Sequence, residues 1–183
     1  MKNYFAIIVC VALLIVASSC TTLYKAAVDE RSVKTIASDT EIKANIVKQF
    51  VENDTIKALD IFTACYDSHV YLVGEYESEK QKNLVFEIAE KTEGVKTVTT
   101  YLIPKKKSDT CGTKDNISIT ANVKKNLIKD KHIWSTNIDV KTVQCNVILV
   151  GIVKSNEEIQ KAIAHAKSVE GVRSVKSFLK PAD

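Results

Sequence analysis

The chain repeats itself at a spacing of 77 residues, and the two copies align without a gap. Residues 70–74 (VYLVG) fall on 147–151 (VILVG), the Glu-Gly-Val at 93–95 falls on the one at 170–172, and Pro104 falls on Pro181. Two copies at so long a period are too few for a solenoid. The repeat therefore predicts two tandem domains, at 39–104 and 115–181, joined by a basic linker at 105–114.

Each copy is predicted to begin with a helix, because apolar residues recur four apart on one helical face. These residues are Ile42, Ile46 and Phe50 in the first copy and Ile119, Val123 and Leu127 in the second. Two strands follow, at 61–66 and 70–73 or at 138–143 and 147–150, and the second of each pair is expected to end at Gly74 or Gly151. A further helix and a last strand, at 95–103 or 172–179, complete the copy.

Helix boundaries carry recognisable signals. Ser38-Asp39-Thr40-Glu41 offers a capping box for the first helix, and Ser78 and Ser155 begin equivalent boxes for the second helix of each copy. Gly94 and Gly171 are expected to end those helices as left-handed residues. The order αββαβ predicts an α+β fold in which two helices pack on one face of a three-stranded mixed sheet.

Each copy resembles the BON domain. The resemblance lies in the helical Ile/Val/Leu series, in the paired strands that lead to Leu-Val-Gly, and in Gly-Val-x-x-Val at 94–98 and 171–175. With the N-terminal features described next, the chain resembles the dual-BON outer-membrane lipoproteins of Gram-negative bacteria. That resemblance implies binding of anionic phospholipid, a part in maintaining the outer-membrane barrier, and no catalytic machinery or cofactor.

The first residues read as an export signal. Lys2 precedes an apolar run at 4–16, which is too short to span a bilayer comfortably, and small residues close it. The sequence Ala17-Ser18-Ser19-Cys20 resembles a bacterial lipobox, which implies a signal peptide at 1–19, a lipidated Cys20 and a tether at 20–38. Ordinary cleavage nearby is the alternative. Thr21, rather than Asp, after the lipidated cysteine favours the outer membrane by the family's sorting rule, facing the periplasm.

Three cysteines remain after Cys20 is assigned to lipid: Cys65, Cys111 and Cys145. Disulfides are permitted outside the cytoplasm. An odd number cannot all pair, and the residues allow either one bridge or three thiols.

Signatures of enzymes and metal sites are absent from the sequence: there is no GxSxG, P-loop or HExxH, and no Cys/His cluster with metal spacing. A nucleophile pair of Cys65 and His69 across a turn is the one catalytic alternative. The chain is therefore expected to be neither an enzyme nor a metalloprotein. The formal net charge of +4 is too mild to indicate a nucleic-acid partner.

Charge separates the two copies. Residues 39–104 hold seven lysines against 12 acidic residues, a net of −5, whereas residues 115–181 hold 11 basic against six acidic residues, a net of +5. On the first helix of the basic copy, lysines surround an isoleucine that points away from the core stripe. The predicted phospholipid-binding residues are Lys124, Lys125, Ile128, Lys129, Lys131 and Trp134.

These features suggest a lipid-anchored envelope protein whose second domain docks on an anionic phospholipid membrane surface. A solvated lysine face with a core tryptophan is the plainer interpretation of the same residues. The alternative function is a periplasmic adaptor or chaperone-like module for envelope-assembly proteins, which would use the exposed edges of its sheets.

Overall fold

The computed structural model describes residues 32–106 and 108–182. The predicted signal peptide, the lipidation of Cys20 and residues 20–31 of the predicted tether lie outside the described residues. In the first domain the elements are α1 (Val33–Val51), β1 (Ile61–Tyr66), β2 (His69–Tyr76), α2 (Glu79–Lys91) and β3 (Thr97–Pro104). In the second they are α3 (Thr113–Lys129), β4 (Ile138–Val143), β5 (Asn146–Val153), α4 (Asn156–Lys167) and β6 (Ser174–Pro181).

The αββαβ order and the mixed three-stranded sheets are confirmed. β2 lies at the centre of its sheet, antiparallel to β1 and parallel to β3, and β5 has the same place between β4 and β6. A 3₁₀ turn precedes the first strand of each sheet, at Ala58–Asp60 and Ser135–Asn137.

Each domain has its own core between the helices and one face of the sheet. The predicted helical stripes are buried: Ile46 and Val123 have no exposed surface, and Phe50 and Leu127 are each 1% exposed. In β2, Val70 and Leu72 point into this core. The pattern follows from the two periodicities, since residues four apart share a helix face and alternate residues share a strand face.

The other faces of the two sheets pack against each other. Alternate residues of the central strands, Tyr71 and Val73 in β2 and Ile148 and Val150 in β5, form a third apolar cluster between the domains. Strands covered on both faces read as continuous apolar runs, which explains why β2 and β5 lack polar alternation. The molecule is thus layered helices–sheet–sheet–helices.

Polar contacts also cross this junction. The Tyr66 hydroxyl donates to Asp139 Oδ2 at 2.8 Å, and the Gln144 amide donates to Glu75 Oε1 at 2.8 Å. The rings of Tyr71 and Phe178 lie with their centroids 5.8 Å apart.

The predicted start of the first helix is wrong. α1 begins at Val33, and Ser32 Oγ caps it by accepting from Thr35 N at 3.1 Å. Residues 33–38 of the predicted tether are therefore helical, and Ser38 and Glu41 of the predicted capping box lie inside the helix. The carboxylate of Asp39 has a different role. It accepts from Asp67 N and Ser68 N, both at 2.8 Å, and so holds the turn between β1 and β2.

α3 begins at Thr113, two residues earlier than the predicted domain start. Asp115 Oδ2 accepts from Gly112 N at 2.8 Å at this N-terminus. The last two residues of the predicted 105–114 linker are therefore part of the helix.

The capping serines of α2 and α4 are confirmed, with one difference. Ser78 Oγ accepts from Gln81 N and Ser155 Oγ accepts from Glu158 N, each at 3.2 Å. In a capping box the side chain at the third helical position accepts from the backbone N–H of the capping serine. Here Gln81 Oε1 accepts instead from Glu77 N, one residue before Ser78, at 2.6 Å.

The central strands do not end at glycine. Gly74 lies inside β2 and Gly151 inside β5. A Cβ at either position would lie 2.0 Å from the backbone carbonyl oxygen of Asp60 or Asn137, so glycine is required where the 3₁₀ turn crosses the strand. Gly94 and Gly171 have the expected positive φ, 86° and 84°, but they follow the helices by three and four residues.

One disulfide joins Cys111 to Cys145, with their Cα atoms 5.8 Å apart. It ties the segment before α3 to the turn between β4 and β5. Cys65 stays outside this bridge, and its buried thiol lies 3.3 Å from Asp39 Oδ1.

Candidate functional site

The predicted lysines form an exposed face on the C-terminal half of α3 and the turn after it. The core stripe of the helix occupies one side, which leaves Lys124, Lys125 and Lys129 exposed on the other, and Lys131 follows in the turn. Ile128 lies among these lysines with 69% of its surface exposed. We call Lys124, Lys125, Ile128, Lys129 and Lys131 the basic face.

The lysines of the basic face form no ion pair with any other residue in the described part of the chain. Elsewhere lysines do have carboxylate partners: Lys57 with Glu77 at 2.7 Å, Lys105 with Asp60 at 2.8 Å and Lys161 with Glu157 at 2.9 Å. The lysines of this face therefore have no ion-pair partner among the described residues, although Asp130 lies between Lys129 and Lys131. Such a concentration of lysines attracts anionic surfaces.

Two hollows border the basic face. The smaller, of about 210 Å³, lies between α3 and the start of β4, and Lys124 and Ile128 line it together with Ser135 and Thr136. The larger, of about 470 Å³, is lined by Asn126, Lys129, Asp130, Lys131, His132 and His165. The structure thus brings Lys124 together with Ile128, and Lys129 together with Lys131.

Trp134 is placed differently from these five residues. It is half-buried, its backbone N–H donates to Glu158 Oε1 at 2.6 Å, and its ring lies 5.6 Å from Lys154 Nζ. Trp134 lines neither hollow. Its surroundings are the start of α4 and Lys154, a lysine that the sequence analysis did not select.

A carboxylate interrupts the basic face on the side of α4. Asp130 Oδ2 lies 2.9 Å from His165 Nε2, and Asp130 Oδ1 accepts from His132 N at 2.9 Å. The hydrogen bond from His165, followed by the one from the His132 backbone, lowers the pKa of Asp130 to about 2. The pairing with His165 joins residues 35 positions apart, and no local sequence signal indicates it.

A third hollow lies between the two domains and was also missed. It measures about 470 Å³ and lies where α3 and β4 face the 3₁₀ turn of the first domain. Its lining includes Leu59, Ile117, Ala121, Lys124 and Lys141. The two apolar residues Leu59 and Ile117 stand out in the sequence only when each is compared with its counterpart in the other copy.

The Cys65/His69 nucleophile pair is not formed. Cys65 lies in the core between the sheet and its helices. His69 stacks on Tyr71, with centroids 4.4 Å apart, on the opposite face of the sheet. Burial, and then the nearby Lys180 ammonium, lower the pKa of His69.

Every helix in the two described ranges, 32–106 and 108–182, is too short or too polar to span a bilayer. The same residues contain no group of three or more His, Cys, Asp or Glu side chains placed to hold a metal ion.

The fold defines a tandem-domain α+β protein built from two copies of one module. The family model of the BON domain matches residues 38–103 and 115–181. The chain therefore belongs to the BON-domain family.

Two curated relatives are similar in sequence. The osmotically-inducible protein Y of Escherichia coli (strain K12) is 32% identical over 144 residues, which cover 78% of this chain and 72% of that protein. An uncharacterized protein in the gshII 5′ region of Anaplasma centrale is 34% identical over 74 residues, 40% of this chain and 49% of that protein. Among solved structures, the C-terminal domain of CdsD, a structural protein of the type III secretion system of Chlamydia trachomatis, matches with a TM-score of 0.33. It has 11% identity and covers 79% of this chain and 67% of that one.

Proposed function

We propose that this protein is a lipid-anchored envelope protein that binds anionic phospholipid through its second BON domain and supports outer-membrane integrity. It does so without catalysis. Cys20 carries the anchor, and the basic face of α3 docks on the headgroups of the periplasm-facing leaflet.

The observation that supports lipid docking is the group of lysines on the basic face that have no ion-pair partner among the described residues. Four exposed lysines surround an isoleucine that is 69% exposed, in a domain with a net charge of +5. A basic residue near an anionic membrane contributes about 1 kcal/mol, so four give about 4 kcal/mol. Such an affinity is weak by itself. A lipid anchor makes it sufficient, because it holds the domain at a high effective concentration beside the membrane.

Vesicle flotation tests the docking. The Cys20→Ala chain, which cannot be anchored, is expected to float with phosphatidylglycerol vesicles and not with phosphatidylcholine vesicles. Replacing Lys124, Lys125 and Lys129 together by Glu changes the net charge by six and is expected to abolish flotation.

The repeat supplies a matched control. Lys34, Lys43 and Lys48 lie on α1, the equivalent helix of the first domain. Their replacement by Glu changes the net charge by the same amount and should leave most of the flotation. If both triple variants lose binding equally, net charge and not the basic face controls it. If the parent floats equally with both lipids, anionic recognition is wrong.

The anchor and the cellular role need separate experiments. Mass spectrometry of the N-terminal peptide is expected to find lipid on Cys20, and the Cys20→Ala chain is expected to move from the outer-membrane fraction to the soluble fraction. Cells that lack the protein should be more sensitive to detergent, and the Lys124/Lys125/Lys129→Glu chain should not restore their resistance.

The alternative is an adaptor for envelope-assembly proteins. The outer strands β1, β3, β4 and β6 each pair on one side only within the described sheets, so their free edges can accept a partner strand. A partner captured equally by the parent and by the Lys124/Lys125/Lys129→Glu chain would favour this function over lipid docking.

A further inference from the structure

The hollow between the domains has two strongly exposed apolar side chains in its lining. Leu59, on the 3₁₀ turn of the first domain, is 96% exposed, and Ile117, in the second turn of α3, is 65% exposed. We call this hollow the junction groove. A leucine as exposed as Leu59 contributes no buried apolar area to the stability of the domain.

Comparison of the two copies shows that the fold does not require apolar residues here. The counterpart of Leu59 is Thr136, and the counterpart of Ile117 is Thr40. Each position therefore accepts a polar residue in the same local structure. Ile128 differs in this respect, because its counterpart, Val51, is also apolar and also 69% exposed. Leu59 and Ile117 are thus exposed and apolar at positions where the fold does not require it, which points to a contact outside the chain.

The turn that presents Leu59 is held firmly. Asp60 N donates to Lys57 O at 2.8 Å, and Lys105 Nζ lies 2.8 Å from Asp60 Oδ2. The turn also lies so close to β2 that only Gly74 fits beneath it. The backbone that carries Leu59 is therefore held in place before any partner arrives, which reduces the entropic cost of binding.

Ile117 belongs to a stripe that leads from the junction groove to the basic face. Ile117, Ala121, Lys124 and Ile128 are spaced four, three and four residues apart, which places them on one side of α3, and all four are exposed. The stripe is about 16 Å long at 1.5 Å per residue. The groove and the basic face are consequently parts of one surface.

The lysines on the second-domain side of the junction groove favour an anionic partner. Lys124 and Lys141 line it without ion pairs to described residues. Of its two acidic residues, Asp60 is paired with Lys105, and Glu75 accepts from the neutral Gln144 amide at 2.8 Å and keeps its charge, so the positive charge of the groove lies on the α3 and β4 side. Exposed apolar side chains beside two lysines without ion pairs match the boundary between acyl chains and anionic headgroups.

From these observations we propose that Leu59 and Ile117 insert into the acyl region of an anionic bilayer, so that both domains contact the membrane across the junction groove. The inference rests on the proposed binding of anionic phospholipid. It adds a contact from the acidic first domain, which charge alone would turn away from such a surface.

Depth-sensitive labelling tests the insertion. The chain is the Cys20→Ala protein without residues 1–19, kept non-reduced so that the Cys111–Cys145 bridge persists. Leu59→Cys and Ile117→Cys variants carry an environment-sensitive fluorophore, and phosphatidylglycerol vesicles contain a lipid with a nitroxide on its acyl chain. Both labels are expected to shift to shorter wavelength and to be quenched. Thr40→Cys, the counterpart of Ile117 on α1, is the matched control and should stay unquenched.

Exchange of residues between the copies tests how much Leu59 and Ile117 contribute to the free energy of membrane binding. Leu59→Thr and Ile117→Thr each install the residue that the other copy carries, so both variants should melt as the parent does. Each is expected to weaken partition into phosphatidylglycerol vesicles about tenfold. Threonine lacks most of the transfer free energy that a half-inserted leucine or isoleucine contributes. The change leaves the net charge intact and should not alter the salt dependence of binding.

The outcomes separate the two proposals. If the parent does not bind anionic vesicles, phospholipid binding is wrong and the insertion falls with it. If the parent binds but the two labels stay unquenched and the threonine variants bind as well as the parent, the insertion alone is overturned. If the labels respond to rising protein concentration without vesicles, a second copy of the chain occupies the groove, and this also overturns the insertion.

Discussion

The buried carboxylate of Asp39 holds the turn between β1 and β2. Asp39 is 4% exposed, and its carboxylate accepts from the backbone of the β1–β2 turn, where Asp67 and Ser68 both have positive φ. Its counterpart Asn116 does the same for the second copy, accepting from Cys145 N at 2.9 Å. A short polar residue in the first helix, and not the turn sequence alone, therefore stabilises an otherwise strained two-residue turn.

Gly74→Ala tests the close approach of the 3₁₀ turn to β2. The new methyl group would lie 2.0 Å from Asp60 O, so the turn or the strand must move. We expect a loss of about 3 kcal/mol in the free energy of unfolding, measured by urea denaturation. Gly112→Ala is the control, because the nearest atom to its Cβ lies 3.6 Å away, and it should cost less than about 1 kcal/mol. Equal losses in the two variants would show that the close approach does not constrain residue 74.

Asp130, which lies beside the basic face, makes the stability of the protein depend on pH. Its folded-state pKa is lowered from 3.8 to about 2, so the stability that it contributes is complete above its unfolded pKa and is lost as the pH falls towards 2. We expect Asp130→Asn to be less stable than the parent at pH 5, and the difference to shrink steadily between pH 4 and pH 2. Urea denaturation at each pH measures it. A difference that stays constant over this range would exclude the carboxylate charge as its cause.

At the scale of elements, the disulfide fixes how the second domain begins. It closes a loop with a sequence separation of 34 and ties the segment before α3 to the β4–β5 turn. A loop of this length gives about 4 kcal/mol on the chain-entropy model. The Cys111→Ser/Cys145→Ser variant is expected to lose about that much stability towards urea. Dithiothreitol should bring the parent to the same midpoint and leave the double variant unchanged; a parent insensitive to reductant would contradict the assignment.

Most elements follow from local sequence signals. Helix periodicity places α1 and α3, serines cap α2 and α4, and β1 and β4 match their predicted bounds, because these features depend on neighbouring residues. The errors come from distant contacts. Ser38 resembles a helix cap but lies inside α1, and the neighbouring Asp39 bonds a turn 28 residues away. Gly74 resembles a strand end but accommodates a crossing turn.

In the candidate site, the features that depend on neighbouring residues were predictable from the sequence, and those that depend on distant contacts were not. Helical geometry indicates that Lys125 and Ile128 point away from the core, and both are exposed. Trp134 is half-buried against α4, and no local signal indicates this, since its partner Glu158 lies 24 residues later. The junction groove needs both domains in place, so the sequence analysis could not find it. Whether the basic face binds lipid stays a prediction.

For the whole molecule, the packing of the two sheets predicts that the domains stabilise each other. Ile148 and Leu149 are neighbours on β5, and neither has exposed surface. Ile148 faces the junction between the domains, and Leu149 faces the helices of its own domain. Replacing either by Ala should cost about 3 kcal/mol.

The two substitutions should differ in where amide hydrogen exchange becomes faster. Ile148→Ala is expected to accelerate exchange in β1 and β2 of the first domain as well as in the second domain. Leu149→Ala should affect mainly the second domain. The same exchange pattern in both variants would mean that the junction does not couple the domains.

The early start of α1 sets how far the protein can travel from its anchor. Between Cys20 and Ser32 an extended chain spans at most about 40 Å, whereas a tether that ran to residue 38 would span about 60 Å. If Cys20 carries lipid as proposed, the shorter tether keeps the start of the first domain within about 40 Å of one leaflet. A protein held in this way stays within reach of its own membrane, and its contact with any more distant surface depends on the length of the two folded domains.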